Sequence, residues 1–163
     1  MYNIYGTLKR LGEHYTNIYG QINVRFWNIY GNEPYSEKSH VITDFIYKAS
    51  NFKKINILST GKENRQFLHV EDCSKGLFTI MLNHNQIIKK KNIIHLTSFK
   101  WNSILEVAEL ISSIYKCKIE IDNKCEDNHT IMNEPDKFIL QYWEPKISLE
   151  EGIKKIIDNN SFL

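Results

Sequence analysis

The chain has 163 residues, of which 42% are hydrophobic and 25% are charged, and its formal net charge is +2. These fractions are typical of a folded globular domain and argue against wholesale disorder. The small net charge gives no indication of a nucleic-acid partner, and no apolar run is long enough to cross a membrane. We therefore expect neither a nucleic-acid nor a membrane partner.

Apolar residues recur at spacings that alternate between helical and strand periods along the chain, which favours an α/β arrangement. We expect helices over 5–19, 41–49, 72–81, 103–114 and 148–157, and strands over 21–27, 55–58, 93–96 and 118–122. We also expect a loop over 31–39, a turn over 59–63, a short apolar segment over 67–70 and irregular structure over 126–133. The order begins with a helix that no strand precedes. In an open parallel sheet a helix normally follows a strand, so we expect the beginning of a domain to be missing.

Several helix starts carry capping signals. Ser103 with Glu106, and Ser148 with Glu151, both fit the S-x-x-E capping box. Asp72 is a candidate N-cap for the third helix, because short side chains with an oxygen acceptor favour that position. The positions expected to face inward on that helix are Cys73, Leu77, Phe78 and Met81.

The three cysteines, Cys73, Cys117 and Cys125, form no C-x-x-C motif. This count argues against a disulfide framework and favours a reducing compartment, most simply the cytoplasm. The six histidines show no zinc-finger spacing with one another or with the cysteines. We therefore expect no metal site.

The seven glycines set the sharpest constraint. They stand at positions 6, 12, 20, 31, 61, 76 and 152, so no two are closer than six residues apart. Neither the G-x-G-x-x-G loop nor the G-x-x-x-x-G-K-[ST] loop can occur with that spacing. The 163 residues therefore contain no standard glycine-rich phosphate loop.

Tyr5 and Lys9 are four residues apart on the first expected helix and so share one face. Such a pair can transfer a proton to or from a sugar hydroxyl or carbonyl. A free tyrosine has a pKa of about 10 and is a poor base at neutral pH, and a neighbouring ammonium favours its phenolate form. On spacing alone, an exposed tyrosine beside a solvated lysine is the favoured explanation of the pair.

Five segments, in order, resemble the extended short-chain dehydrogenase/reductase family, whose members include NAD-dependent nucleotide-sugar epimerases and dehydratases. Residues 5–13 resemble its Y-G-x-S-K-x-x-x-E motif, 25–31 its R-x-x-N-x-Y-G motif and 61–72 its G-x-x-x-R-D-F-x-H-V-x-D motif. Residues 96–98 resemble the strand before a capped helix, and 136–145 the closing D-x-x-K and L-G-W-x-P segments. The resemblance covers the C-terminal half of the family.

That resemblance implies the C-terminal part of a Rossmann-like NAD(P)-binding fold plus a small α/β substrate-binding domain, with the N-terminal glycine-rich half absent. Residues 1–34 then form the last part of the Rossmann-like domain. Residues 35–163 form the substrate-binding region with returning Rossmann segments. The implied activity is that of an NAD-dependent epimerase or dehydratase acting on a nucleotide sugar, with NAD or NADP as cofactor.

The resemblance also implies roles for single residues. Tyr5 is the acid/base group and Lys9 hydrogen-bonds the nicotinamide ribose, so both contact the cofactor. Asn28 contacts the sugar-nucleotide phosphates, and Arg65 clamps the pyrophosphate, for which a guanidinium fork is suited. Structural alternatives remain for two of them: Asn28 closes a loop, or Arg65 pairs with an acid nearby in the sequence, at position 63 or 71.

Three alternatives concern the chain as a whole. It is an active enzyme in truncated form, or it is a non-catalytic or degenerate fragment, or a subunit that needs a separate NAD-binding chain. Family members often dimerise through the Tyr-Lys helix, so the resemblance allows a homodimer as well as a complementing N-terminal chain.

Overall fold

The computed structural model describes residues 3–122 and 132–159. Its helices are α1 (Ile4–Ile18), α2 (Val41–Phe52), α3 (Val70–Leu82), α4 (His84–Ile87), α5 (Ile104–Tyr115) and α6 (Leu149–Asn159), with a 3-10 turn at Phe138–Gln141. Its strands are β1 (Asn23–Phe26), β2 (Asn28–Tyr30), β3 (Lys54–Ile57), β4 (Asn64–Arg65), β5 (Phe67–His69), β6 (Ile93–Leu96), β7 (Asn102–Ser103) and β8 (Lys118–Ile121). The predicted alternation of helices and strands is confirmed.

Short parallel ladders join strands that are far apart in sequence. β1 pairs with β6, β2 with β5 and β3 with β8, all parallel, while β4 and β7 pair antiparallel. Parallel pairing requires long crossover connections, and helices supply them here. The β2–β5 ladder places Asn28 beside Phe67 and Tyr30 beside His69, so it brings the 25–31 and 61–72 segments together.

Two apolar clusters form the core of the described residues. The first packs α2, α5 and α6 around β3, and its largest fully buried members are Ile42, Ile46, Ile55, Ile57, Ile111, Ile153 and Ile156. The second packs α3 and the 3-10 turn against β6, through Leu68, Cys73, Ile80, Ile87, Ile94, Leu96 and Ile139. Burial of this apolar surface is the main force that holds the elements together.

Helix α1 forms as predicted, but none of its side chains is buried. Asn3 caps it by accepting a hydrogen bond from the Tyr5 N–H at 3.0 Å. Its apolar stripe is open to solvent: Leu8 is 61% exposed and Tyr15 is 56% exposed. The helix is tied to β1 mainly by polar contacts.

The start of α3 differs from the prediction that Asp72 is its N-cap. His69, and not Asp72, is the N-cap, because the His69 Nδ1 accepts a hydrogen bond from the Glu71 N–H at 3.3 Å. Asp72 instead lies buried in the first turn, where its Oδ2 accepts hydrogen bonds from the backbone N–H groups of Lys146 and Ile147, both at 2.7 Å. It therefore fastens α3 to the segment before α6.

The inward face of α3 was also only partly predicted. Cys73 is buried as expected, together with Gly76 and Ile80, but Phe78 is 58% exposed and Met81 is 62% exposed. Leu77 is exposed as well. The face that packs onto β6 is set by Gly76, where an added Cβ would meet the Leu96 side chain at 3.0 Å. A larger residue there would hold the helix off the strand.

Both capping boxes have structural support. At α5 the Ser103 Oγ accepts from the Glu106 N–H at 3.0 Å, and the Glu106 carboxylate accepts from the Ser103 N–H at 2.7 Å, so that box is confirmed. At α6 the Ser148 Oγ accepts from the Glu151 N–H at 3.2 Å.

Cys125 and most of the expected irregular segment 126–133 lie outside the described residues. Within the part of the chain that the structure describes, no helix is both long enough and apolar enough to traverse a bilayer. The same residues contain no group of three or more His, Cys, Asp or Glu side chains placed to hold a metal ion.

Candidate functional site

Two cavities share one lining residue, Asn28. The first, of about 1170 Å³, is a groove between α1 and β1 that is lined by Tyr5, Lys9 and Asn28, among others. The second, of about 410 Å³, is lined by Asn28 and Arg65, among others. Each of the four predicted site residues therefore lines at least one of the two cavities.

The Tyr5–Lys9 pair lines the groove. The Lys9 Nζ lies 5.4 Å from the centroid of the Tyr5 ring, as the i, i+4 spacing on α1 dictates. Tyr5 is 65% exposed, so its phenolic oxygen is accessible to a ligand. A phenol can hold or release one proton, and an ammonium offers three hydrogen-bond donors. Together these two groups can transfer a proton to or from a bound hydroxyl or carbonyl.

An ion pair between α1 and β1 forms one wall of the groove. The Arg25 Nε and Nη2 donate to the two Glu13 carboxylate oxygens at 2.6 and 2.7 Å. This bidentate geometry is the strong form of the contact. It lowers the pKa of Glu13 and raises that of Arg25. Because Glu13 neutralises it, Arg25 acts as a brace for α1 rather than as a free phosphate ligand.

Sequence reasoning missed His95, which also lines the groove. Its Nδ1 accepts a hydrogen bond from the Trp27 Nε1 at 3.1 Å, which leaves the proton of the neutral ring on Nε2. Burial lowers the pKa of His95 and so favours the neutral ring. The strand alternation was the available signal, since His95 lies between the buried Ile94 and Leu96 and faces the other side of the ladder.

Asn28 and Arg65 line the second cavity from two strands, β2 and β4. The Asn28 Nδ2 donates to the Gln66 backbone carbonyl at 3.3 Å, which ties β2 to the residue before β5. The Arg65 Nη1 donates to the Asn64 carbonyl at 2.8 Å. Its guanidinium keeps four further N–H donors for a ligand.

The two acids offered as partners of Arg65 have other partners. The Glu63 Oε1 accepts from the Ser59 Oγ at 2.5 Å. Glu71 pairs with Lys155 at 3.0 Å, and this hydrogen bond lowers the pKa of Glu71. The structure therefore gives no support to an Arg65–Glu71 or Arg65–Glu63 ion pair.

Buried polar contacts hold β2 and β5 in place behind the cavities. Tyr30 packs edge-on against His69, with ring centroids 5.3 Å apart. The fully buried Gln66 accepts a hydrogen bond from the Thr97 hydroxyl at 2.9 Å. Burial raises the pKa of Tyr30, and the nearby negative charge of Asp72 raises it further. This phenol therefore stays protonated, and its role is structural.

A protein-family model and two curated relatives match the chain over more than half of its length. Residues 2–95 match the model of the NAD dependent epimerase/dehydratase family. The chain is 28% identical over 137 residues to UDP-glucuronic acid decarboxylase 1 of Danio rerio, covering 82% of this chain and 32% of that protein. It is 27% identical over 172 residues to dTDP-D-glucose 4,6-dehydratase of Mus musculus, covering 96% of this chain and 47% of that protein.

Solved structures show the same fold. A UDP-glucose 4-epimerase from Thermotoga maritima, solved with UDP-glucose, superposes with a TM-score of 0.76 at 20% identity, covering 94% of this chain and 52% of that one. UDP-glucuronic acid 4-epimerase from Bacillus cereus, solved with UDP-glucuronic acid and NAD, gives a TM-score of 0.69 at 22% identity, covering 94% and 51%. The chain spans between about a third and a half of these relatives. With the family model matching more than half of its residues, the chain belongs to the NAD-dependent epimerase/dehydratase family.

Proposed function

We propose that this chain provides the proton-transfer pair and the nucleotide-sugar site of an NAD-dependent epimerase or dehydratase that acts on a nucleotide sugar. One observation carries the proposal. Asn28 lines both the groove of Tyr5 and Lys9 and the cavity of Arg65. A sugar in the groove can therefore be joined to a nucleotide in the cavity, with its diphosphate passing Asn28.

The diphosphate end of the substrate meets two polar donors. The Asn28 amide and the Arg65 guanidinium lie on β2 and β4, whose positions are fixed by ladder partners on β5 and β7. An arginine fork binds phosphate oxygens in a bidentate manner, and preorganised donors lose little entropy when they do so. We assign to these two residues the binding and orientation of the pyrophosphate.

At the sugar end, Tyr5 holds the proton that is exchanged with the substrate hydroxyl or carbonyl. Lys9, one turn away on the same face, provides a positive charge beside the phenol and donors for a ribose hydroxyl. Bound NAD would accept a hydride from the sugar and later return it. Removing the hydroxyl proton to Tyr5 is the contribution of this chain.

The residues present fit one end of that cofactor. The groove of about 1170 Å³ has room for a ring and its ribose beside Tyr5 and Lys9. The 163 residues contain no glycine-rich loop for the cofactor pyrophosphate. We therefore propose that this chain contacts the nicotinamide end and binds NAD weakly by itself. In this proposal residues 1–34 are the last part of the Rossmann-like domain, and 35–163 are the substrate-binding region with returning Rossmann segments.

Helix α1 offers a surface for a partner. Its apolar side chains are exposed along the whole helix, namely Ile4, Tyr5, Leu8, Leu11, Tyr15, Ile18 and Tyr19. Among the described residues, β1 is hydrogen-bonded to β6 and to no other strand. Both features suit a homodimer through α1 or a complementing chain that carries the glycine-rich half. If neither forms, the alternative is a non-catalytic fragment that retains the substrate site.

Calorimetric titration of the purified chain with UDP-glucose and with NAD tests the binding part of the proposal. We expect measurable nucleotide-sugar binding, little binding of NAD, and at least about a tenfold loss of nucleotide-sugar affinity in Arg65→Ala, because a charge-assisted contact is lost. The exposed Lys118→Ala is the matched control and should bind as the wild type does. Tight NAD binding, or unchanged affinity in Arg65→Ala, would contradict the assignment.

The catalytic part is tested with Tyr5→Phe in an enzyme reconstituted with a chain that carries a glycine-rich loop. Loss of the phenolic proton should reduce kcat by about 10²- to 10⁴-fold, the usual contribution of a general acid/base, while nucleotide-sugar affinity stays unchanged. Turnover of Tyr5→Phe at the wild-type rate would remove Tyr5 from the mechanism.

A further inference from the structure

We propose that Glu63 is a specificity-determining residue that selects guanine as the base of the nucleotide sugar. The inference rests on the proposed nucleotide-sugar site and goes beyond it by naming the base. Glu63 lines the cavity of about 410 Å³ together with Asn28 and Arg65. Of the two carboxylates that line it, Asp44 is paired with Lys48 at 2.7 Å, whereas Glu63 accepts a hydrogen bond from the Ser59 hydroxyl.

We assign the base to the part of this cavity beside Glu63, because Glu63 lies two residues from Arg65, the proposed diphosphate ligand. Glu63 and Arg65 are two residues apart, Arg65 lies in β4, and both line the same cavity. In an extended segment such residues project to one side about 7 Å apart. When Arg65 holds the diphosphate, Glu63 faces the next part of the ligand along that wall.

The end of β3 also lines the cavity, through Asn56, Ile57 and Leu58. Leu58 is highly exposed and can pack against the ring of a base, while the Asn56 amide can bind a polar ring atom. The cavity therefore offers a base both apolar and polar contacts.

The carboxylate of Glu63 is held in place by the turn before it. The Ser59 Oγ donates to the Glu63 Oε1 at 2.5 Å and accepts from the Gly61 N–H at 3.2 Å. Gly61 has a φ of 74°, the left-handed conformation that this turn needs. The Glu63 carbonyl also accepts from the Ile104 N–H at 3.1 Å, which fixes the backbone to the start of α5. Since a carboxylate has about four acceptor sites, both oxygens can still bind a ligand.

The chemistry of an ionised carboxylate determines which base it favours. It accepts hydrogen bonds and donates none. Guanine presents two adjacent donors, N1–H and the N2 amino group, which match the two carboxylate oxygens. Uracil and thymine present one N–H between two carbonyl oxygens, which the second carboxylate oxygen would repel. Adenine and cytosine present one amino group beside an unprotonated ring nitrogen, with the same conflict. Sites that require a hydrogen-bonding group reject ligands that lack it strongly.

The test titrates the full chain with GDP, UDP and ADP by calorimetry, in the wild type and in Glu63→Gln. We expect GDP to bind at least about tenfold more tightly than UDP or ADP, and Glu63→Gln to lose most of that preference because a charged bidentate acceptor is replaced by a neutral amide. Glu109→Gln, an exposed position on α5, is the matched control and should keep the preference. Glu63→Asp keeps the charge on a shorter side chain and should keep part of it.

The outcomes separate this inference from the proposed function. Equal binding of the three nucleotides, or tighter binding of UDP, overturns the role of Glu63 and leaves the nucleotide-sugar site intact. Wild-type preference for GDP that persists in Glu63→Gln also overturns it. Failure of all three nucleotides to bind overturns both. Arg65→Ala should weaken all three about equally, because the diphosphate is common to them.

Discussion

Among the glycines of the described residues, Gly152 leaves the least room for a Cβ, so we expect Gly152→Ala to lower the free energy of unfolding. Gly152 lies in α6, and a Cβ built there would stand 2.0 Å from the Tyr30 Oη, 2.8 Å from the Tyr30 Cζ and 3.0 Å from the His69 Cδ2. These rings are buried and packed against each other. Gly152→Ala must therefore displace either the helix or the β2–β5 ladder.

The magnitude follows from two opposing effects. Overpacking a buried site costs about 1–3 kcal/mol, whereas replacing glycine by alanine inside a helix gains up to about 1 kcal/mol. We expect a net loss of about 1–2 kcal/mol in the free energy of unfolding. For a chain of this size that loss corresponds to a fall in Tm of about 2–8 °C.

Thermal and urea denaturation followed by circular dichroism measure this effect. Gly12→Ala is the matched control, because nothing lies within 4 Å of a Cβ there and α1 should gain up to about 1 kcal/mol. The double variant Gly152→Ala with Tyr30→Phe removes the nearest atom and should recover part of the loss. If Gly152→Ala is as stable as the wild type while Gly12→Ala behaves as expected, the packing of α6 on Tyr30 is wrong.

Three further changes have defined outcomes. Burial lowers the pKa of His95 in the folded chain below the ordinary value of 6.5, so the unfolded chain binds the proton more readily. The free energy of unfolding should therefore fall as the pH drops through about 6.5, and His95→Gln should flatten that fall in urea titrations at pH 5–7. Asp72→Ala leaves two backbone N–H groups without their acceptor and should cost about 3 kcal/mol in urea denaturation, whereas Asp72→Asn keeps an acceptor and should cost less. Ser103→Ala removes a helix cap and should lower the free energy of unfolding by about 1 kcal/mol, a result that an unchanged Tm would contradict.

Local patterns in the sequence were enough to place most elements. The helical spacing of apolar residues located α1, and the S-x-x-E motif located the start of α5. Periodicity identifies which residues share a face but not what covers that face. For this reason the stripe of Leu8 and Tyr15 was found, while its exposure was not. The same limit explains the wrong inward positions on α3, where Phe78 and Met81 satisfy helical spacing yet remain exposed.

The candidate site was partly predictable for a similar reason. Tyr5 and Lys9 are neighbours by helical spacing alone, so their proximity follows from the sequence. Asn28 and Arg65 line one cavity because the β2–β5 ladder joins segments about 38 residues apart in the sequence. Only the resemblance to a family suggested that these two residues act together. Glu63 was considered only as a possible partner of Arg65, because its place in a cavity depends on the fold of the turn at Gly61.

Chemical-shift mapping tests the nucleotide-sugar site most directly. The ¹⁵N-labelled chain would be titrated with UDP-glucose and with GDP-mannose while backbone and side-chain amide signals are followed. We predict that the Asn28 side-chain amide, the Arg65 signals and the backbone amides of residues 56–65 shift together in one saturable transition, more tightly with the GDP-sugar. Shifts confined to residues outside the two cavities, or none at millimolar ligand, would contradict the proposal that this chain forms a nucleotide-sugar site.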